Sequence, residues 1–199
     1  MQDQLEERAR RIVETAVELA ESGGFEAVRL RDVASHAGVA LGTLYRRFRS
    51  KEDLLIAALS VETGNLERQF VQRGVRGESD FERVMDFFGL VNRGLLRRKN
   101  LARALIRAVS SGEPGLAQQM SSYHQRVQRM LVMALRGHVS SEDGELIDPE
   151  STAYDEQRAE TLEQCWFALL VGWSGGVNDQ AEVLKRTRAS AQLILEGSN

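Results

Sequence analysis

The chain has 199 residues with 42% hydrophobic and 28% charged side chains, and its net charge of −3 argues against a generally basic nucleic-acid coat. Cys165 is the single cysteine, which excludes an internal disulfide framework, and no apolar run approaches the roughly twenty residues of a membrane span. Since Met1–Arg11 is of mixed charge and has no leader pattern, we expect a reducing cytoplasm as the location.

Apolar residues recur every three or four positions, and this period predicts an all-α fold. The expected helices, in chain order, span about 4–22, 31–37, 41–48, 50–73, 80–98, 100–110, 115–138, 153–175 and 179–197. Gly23-Gly24 and Gly38 are predicted helix stops, because glycine accepts a left-handed cap. Ser50 and Asn100 are predicted N-caps. The acidic segment 139–151 has little to bury and is predicted to be an exposed, mobile loop.

The segment 29–51 has the pattern of a helix-turn-helix module. Two short helices joined by a glycine turn can present the second helix to the DNA major groove, and 41–48 is the predicted recognition helix. The positions expected to face inward are Val33, Ala34, Ala37, Val39, Leu44 and Phe48. The segment carries six basic residues and one acid, a local charge of +5. A solvated charged face is the alternative that charge alone leaves open.

The remaining polar side chains suit contacts to DNA. Thr43 and Tyr45 can donate hydrogen bonds to phosphates, and Lys51 adds an ammonium at a helix N-terminus. Arg46 and Arg47 carry a planar fork that pairs with guanine edges or clamps a phosphate. The predicted DNA contacts are Arg29, Arg31, Leu41, Gly42, Thr43, Tyr45, Arg46, Arg47 and Lys51.

The blocks Gly24–Val28, Asp32–Ala34, Ala37–Val39 and Gly42–Leu55 resemble the TetR family of repressors. The resemblance implies a homodimer, a palindromic operator and a C-terminal domain that binds a small inducer and lowers DNA affinity. The implied division is a three-helix DNA-binding domain at 1–50 and a larger helical ligand-binding and dimerisation domain at 51–199. Two departures are Arg29 and Ala40, which stand where many members have a Ser or Thr helix cap.

Apolar stripes in the later helices are usually core, and the ligand pocket is expected from the family resemblance. The residues expected to line it are Phe87, Phe88, Val91, Asn92, Arg107, Met120, Tyr123, His124 and Trp166. Asn92 and Arg107 interrupt apolar surroundings and could orient a polar ligand group, although a solvated position is the alternative for each. His36, His124 and His138 lack ligand spacing, so neither a metal site nor a cofactor is predicted. No catalytic grouping is present, and an enzyme is not expected.

In the family the last two helices form a four-helix dimer interface. The helix at 153–175 is apolar almost all round between Trp166 and Trp173, more than a surface helix needs. The predicted interface residues are Trp166, Leu169, Leu170, Trp173, Ala191 and Ile194. The alternative is that this aromatic surface belongs only to the core of the monomer.

The segments Asn92–Arg98 and Trp166–Trp173 are also similar to actinobacterial repressors of sterol catabolism, which respond to a bulky acyl-CoA thioester. Arg97, Arg98 and Arg103 would then be available to the phosphates of such a ligand. The sequence therefore predicts a ligand-responsive repressor that binds an operator as a dimer and is released by a small hydrophobic inducer. An activator of the same fold and a helical small-molecule carrier are the alternatives.

Overall fold

The structure, a computed structural model, describes residues 2–137 and 151–197. Every regular element in these two ranges is helical, which confirms the predicted fold class. The helices are α1 (Gln2–Ala27), α2 (Leu30–His36), α3 (Leu41–Arg47), α4 (Lys51–Arg73), α5 (Asp80–Arg97), α6 (Lys99–Val109), α7 (Ala117–Arg136), α8 (Ala153–Ser174) and α9 (Gln180–Leu195). One 3-10 turn, Pro114–Leu116, precedes α7. The predicted mobile loop lies outside the described residues except for Ser151.

Local signals place most helix ends. Gly24 has a φ of 70° and breaks the helical backbone inside α1, so the predicted stop is a kink after which one more turn follows. Gly38, with a φ of 65°, ends the turn after α2. Ser50 caps α4 as predicted, because its Oγ accepts a hydrogen bond from the Asp53 backbone N–H at 3.1 Å.

The prediction that Asn100 caps α6 is wrong. The helix begins at Lys99, and Arg98 occupies the N-cap position without a side-chain cap. Asn100 instead donates from Nδ2 to the backbone carbonyl of Glu21 in α1, at 3.0 Å. A partner so distant in sequence leaves no local pattern, whereas a cap does.

Contacts between Cα atoms divide the described chain into two units. Unit 1 contains the described residues of Met1–Glu62 and Arg98–Met120, and within it α1 packs against α2 and α6 while α2 packs against α3. Arg98 also joins Glu62, at 3.0 Å, and Glu21 through ion pairs. Unit 1 therefore includes α6 besides the helix-turn-helix segment, and the domain boundary after residue 50 stays a prediction.

Unit 2 contains the described residues of Thr63–Arg97 and Ser121–Asn199, and its α9 packs against α5 and α8. Arg83 donates from Nε to the Ala134 carbonyl at 2.9 Å and from Nη2 to the Leu135 carbonyl at 2.7 Å. These bonds satisfy carbonyls that the end of α7 leaves open. Thr152 and Asp155 form a capping box at the start of α8. Among the helices of the described ranges, none has the length and apolarity that a bilayer span requires.

Candidate functional site

The helix-turn-helix motif is formed by α2 and α3, and α3 coincides with the predicted recognition helix. Of the predicted inward residues, five are buried and one, Val39, is half-buried. The buried ones are Val33, Ala34, Ala37, Leu44 and Phe48. Ala40, at the N-cap of α3, makes no side-chain hydrogen bond. Because seven residues are too few for an independently stable helix, Leu44 and Phe48 hold α3 in place by packing.

The outward face of α3 carries the side chains predicted to contact DNA. Tyr45 is 52% exposed, and Arg46 and Arg47 are exposed beside it. Arg46 Nη2 donates to Thr43 Oγ1 at 3.1 Å, which brings a hydroxyl and a guanidinium together on one face. A Cβ added at Gly42 would meet no heavy atom within 4 Å, so the backbone there faces open space. The arrangement suits close approach of a DNA backbone.

Three further predicted contacts lie around this face. Arg29 is the extended N-cap residue of α2 and makes no capping hydrogen bond, and Arg31 is exposed in the first turn of that helix. Leu41, the first residue of α3, is half-buried. The structure thus brings the α2 and α3 positions together within unit 1, and their contacts to DNA stay predictions.

Lys51, the predicted phosphate contact at the start of α4, has partners that the sequence does not reveal. Its Nζ lies 3.3 Å from Glu26 Oε2 and 3.8 Å from the centroid of the Phe25 ring. Arg107 of α6 meets the same two residues, with Nη1 2.8 Å from Glu26 Oε1 and Cζ 4.1 Å from the ring centroid. We call these four residues the Phe25 cluster. The Lys51 ammonium and the Arg107 guanidinium hold the pKa of Glu26 below its ordinary value, so its carboxylate is ionised at neutral pH.

The residues expected to line a ligand pocket fall into both units. Arg107 and the half-buried Met120 belong to unit 1, and the other seven belong to unit 2. The sequence did not predict that Arg107 forms an ion pair with Glu26, because the residues of the Phe25 cluster come from three helices that are distant in sequence. Its role toward a ligand stays a prediction.

In unit 2 a row of buried aromatic rings ends at a polar pair. The ring centroids of Phe70, Phe87, Phe88 and Trp166 follow one another at 5.3, 5.6 and 5.7 Å. Trp166 Nε1 donates to Asn92 Oδ1 at 3.2 Å. Asn92 is only 2% exposed, which excludes a solvated position, and its Nδ2 has no hydrogen-bond partner within residues 2–137 and 151–197. Val91, beside it, is buried as well.

Tyr123 and His124 are both half-buried. Adjacent residues of a helix point in different directions, so the two side chains do not share one face. The His124 Nδ1 lies 2.8 Å from Oε1 of Glu163, whose carboxylate is buried. These two side chains line a cavity of about 450 Å³ between α7 and α8, which is bordered also by Phe167 and several polar side chains. The buried carboxylate was not predicted, because acids on a helix usually face solvent.

Most of the predicted dimer-interface residues are buried within a single chain. Trp166, Leu170, Trp173 and Ala191 are each at most 3% exposed, while Leu169 and Ile194 are half-buried. The four buried side chains have little area left for a partner, which favours the alternative of a monomer core at these positions. Among the larger apolar side chains that α8 and α9 do expose are Val171, Leu184 and Leu193.

An exposed, basic second helix held by two buried anchors defines a helix-turn-helix DNA-binding regulator. Residues 12–58 match the family described as bacterial regulatory proteins, tetR family, and residues 77–194 match the tetracyclin repressor-like C-terminal domain. The chain belongs to the TetR family, a family of transcriptional regulators and not of enzymes. The predicted family is thereby confirmed.

Individual relatives extend the match over nearly the whole chain. The HTH-type transcriptional repressor KstR of Mycobacterium tuberculosis is 29% identical over 189 residues, which cover 95% of this chain and 81% of that protein. The crystal structure of a TetR transcriptional regulator from Rhodococcus sp. RHA1 is similar to the fold of this chain, with a TM-score of 0.80, 28% sequence identity and 96% of each chain covered. The FadR repressor of Thermus thermophilus in complex with lauroyl-CoA shares the fold, with a TM-score of 0.65 at 20% identity, covering 96% of this chain and 95% of that one.

Proposed function

We propose that this chain is a dimeric repressor that binds a palindromic operator and is released by a small hydrophobic inducer. The observation that carries the DNA-binding part is the outward row of Thr43, Tyr45, Arg46 and Arg47 on a helix whose inward side chains are buried. Such a row is open to phosphates and base edges without any change in the core. The protein would act in the cytoplasm, where it has direct access to the chromosome.

An acyl-CoA thioester is the class of inducer that we favour. The aromatic row in unit 2 supplies an apolar interior, and Asn92 supplies an amide donor that has no hydrogen-bond partner among the described residues. A buried donor left unpaired costs free energy, which an acceptor atom on a ligand would recover. Two FadR structures of the same fold are complexes with lauroyl-CoA and stearoyl-CoA, which supports this class of ligand for the fold.

The proposed mechanism is a coupling of two binding equilibria. Two-fold symmetry would place two recognition helices about 34–36 Å apart, one turn of DNA, or a larger span. An inducer that binds more tightly to a conformation in which the recognition helices have another spacing lowers the operator affinity. The size of the effect is set by the difference between the inducer's binding free energies for the two conformations.

Selection of binding sites from random DNA tests the DNA-binding part. We expect the protein to recover an inverted repeat, because a symmetric dimer reads two identical half-sites. If Arg46 or Arg47 reads a base, its alanine variant should lose about 1–3 kcal/mol of binding free energy and relax the preference at one position in each half-site. An unchanged preference would make that arginine a phosphate contact. Recovery of unrelated sequences by the native protein would contradict the proposal.

Release by ligand tests the other part. With the recovered DNA fragment as probe, lauroyl-CoA should dissociate the complex, whereas dodecyl-CoA, the thioether without the carbonyl oxygen, should do so less well. Transcription from a template that contains the fragment should fall when the protein is added and rise again with lauroyl-CoA. A rise on adding the protein alone would show an activator.

The pair Asn92 and Trp166 gives a more specific prediction. We expect the double variant Asn92→Leu with Trp166→Phe to stay folded with a loss of about 1–3 kcal/mol, because the buried hydrogen bond is removed from both sides while phenylalanine leaves a small cavity in place of the indole. We also expect it to lose the preference for lauroyl-CoA over dodecyl-CoA. Urea denaturation and competition at the DNA probe measure the two effects. Asn65→Leu, on α4, is the control, and a preserved preference in the double variant would exclude Asn92 as the ligand contact.

A further inference from the structure

The Phe25 cluster contains two cations and one carboxylate. Each oxygen of Glu26 faces one cation, with Oε2 3.3 Å from Lys51 Nζ and Oε1 2.8 Å from Arg107 Nη1. Both cations also lie over the ring of Phe25, which is buried at the end of α1 and therefore serves as a fixed point. The start of α4 is thereby connected to α6 through Glu26 and the Phe25 ring, both of α1.

The contacts that hold Lys51 are ones that a phosphate can replace. The Glu26 side chain is 69% exposed, and those of Arg107 and Lys51 are 59% and 28% exposed. Ion pairs in such positions are weak and screened by salt, and a cation–π contact made by a cation that solvent can reach contributes only about 0.5–1 kcal/mol. These weak contacts therefore position the Lys51 side chain beside α2 and α3, and a phosphate can replace them.

The charge of the cluster depends on Arg107. With Arg107 present, one carboxylate serves two cations, and the cluster keeps a net charge of +1. Without Arg107, Glu26 would neutralise Lys51 alone. Glu113 adds a further acid nearby, since its Oε2 accepts a hydrogen bond from the Ser50 hydroxyl at 3.4 Å. A second cation at this helix start therefore preserves the positive potential that attracts a phosphate.

We propose that Arg107 is a positioning residue for DNA binding, which shares Glu26 with Lys51 and so leaves the Lys51 charge available to an operator phosphate. The inference rests on the proposed function, because it takes Lys51 as a phosphate contact. It assigns to α6 an electrostatic contribution to operator affinity, although Arg107 lies outside the helix-turn-helix segment.

A cycle of charge variants tests the role of Arg107. The dissociation constant for the DNA fragment recovered by selection is measured over a range of salt concentrations, after thermal unfolding has shown that each variant is folded. We expect Arg107→Ala to bind about five- to tenfold more weakly at low salt, with a shallower dependence on salt. Glu26→Gln should bind several-fold more tightly, since both cations lose their counter-charge. The double variant should return close to the native affinity, and Arg107→Lys should keep most of it.

Matched controls distinguish an effect specific to the Phe25 cluster from the general effect of removing one surface charge. Lys99→Ala removes an exposed cation from the same helix, and Glu18→Gln removes an exposed acid from α1. Both controls should bind nearly as the native protein does. Effects as large as those of Arg107→Ala and Glu26→Gln would overturn the inference.

Two further outcomes also overturn it. If Glu26→Gln weakens binding as Arg107→Ala does, the pair has only a structural role. If Arg107→Ala binds like the native protein while Lys51→Ala binds weakly, Arg107 does not position Lys51, and the proposed function stands. Native affinity in Lys51→Ala would instead remove Lys51 from the predicted DNA contacts and with it the premise of the inference, while the outward row of α3 would still support the proposed function.

Discussion

With Tyr45→Ala and Lys51→Ala combined, we expect specific operator binding to be lost at physiological salt while the helical content is unchanged. Tyr45 is half exposed, and Lys51 contacts the exposed carboxylate of Glu26 and the face of the Phe25 ring, so neither change opens a cavity in the core. Each side chain is a proposed phosphate contact, and hydrogen bonds to charged groups contribute about 1.5–3 kcal/mol apiece. Two lost contacts in each half-site therefore weaken binding by more than about 100-fold.

Fluorescence anisotropy with the selected DNA fragment measures the loss, and circular dichroism measures the helical content. Tyr154→Ala with Lys185→Ala is the matched control, because it removes an exposed tyrosine and an exposed lysine from unit 2. The control should bind DNA as the native protein does. Retained affinity in the Tyr45 and Lys51 variant would contradict the assigned DNA-binding surface.

The second large effect concerns the oligomeric state. We expect the native chain to sediment as a dimer at micromolar concentration, and Val171→Glu with Leu193→Glu to sediment as a monomer. These side chains are exposed on α8 and α9, so a glutamate is tolerated in the monomer, whereas burial of an unpaired charge in an interface is costly. The monomer should also bind a palindromic operator more than about 100-fold more weakly, because it engages one half-site at a time.

Val61→Glu tests whether a glutamate on any exposed valine has the same effect. Val61 is exposed on α4, and the variant should remain a dimer with native affinity for DNA. A native chain that sediments as a monomer would contradict the proposed homodimer. A dimer that survives both glutamates would place the interface elsewhere on the surface.

The sequence predicts the helices closely, because their signals are local. Apolar periodicity places nine helices, Gly38 marks the end of α2, and the Ser50 hydroxyl caps α4. The recognition helix is predictable for a further reason. Leu44 and Phe48 are four residues apart and therefore share one helix face, which leaves the other side chains of 41–47 on the remaining faces, and both are buried.

Contacts between distant segments are harder to predict. The partners of Lys51 in the Phe25 cluster come from the end of α1 and from α6, and the partner of Asn100 is a backbone carbonyl of α1. No spacing rule connects such positions. The dimer residues show a related limit, because a helix that is apolar almost all round does not indicate which side packs inside its own chain. In the structure Trp166 and Trp173 are on the inner side.

The way in which α3 is attached has an evolutionary consequence. Its position depends on Leu44 and Phe48, while its N-cap residue Ala40 makes no side-chain hydrogen bond that a new neighbour could disrupt. The outward residues, such as Tyr45 and Arg47, are exposed and can be exchanged at little cost to folding, since surface substitutions usually change stability by less than about 0.5 kcal/mol. A duplicated copy of this gene could therefore acquire a new operator through a few substitutions on one helix face, while its fold remains the same.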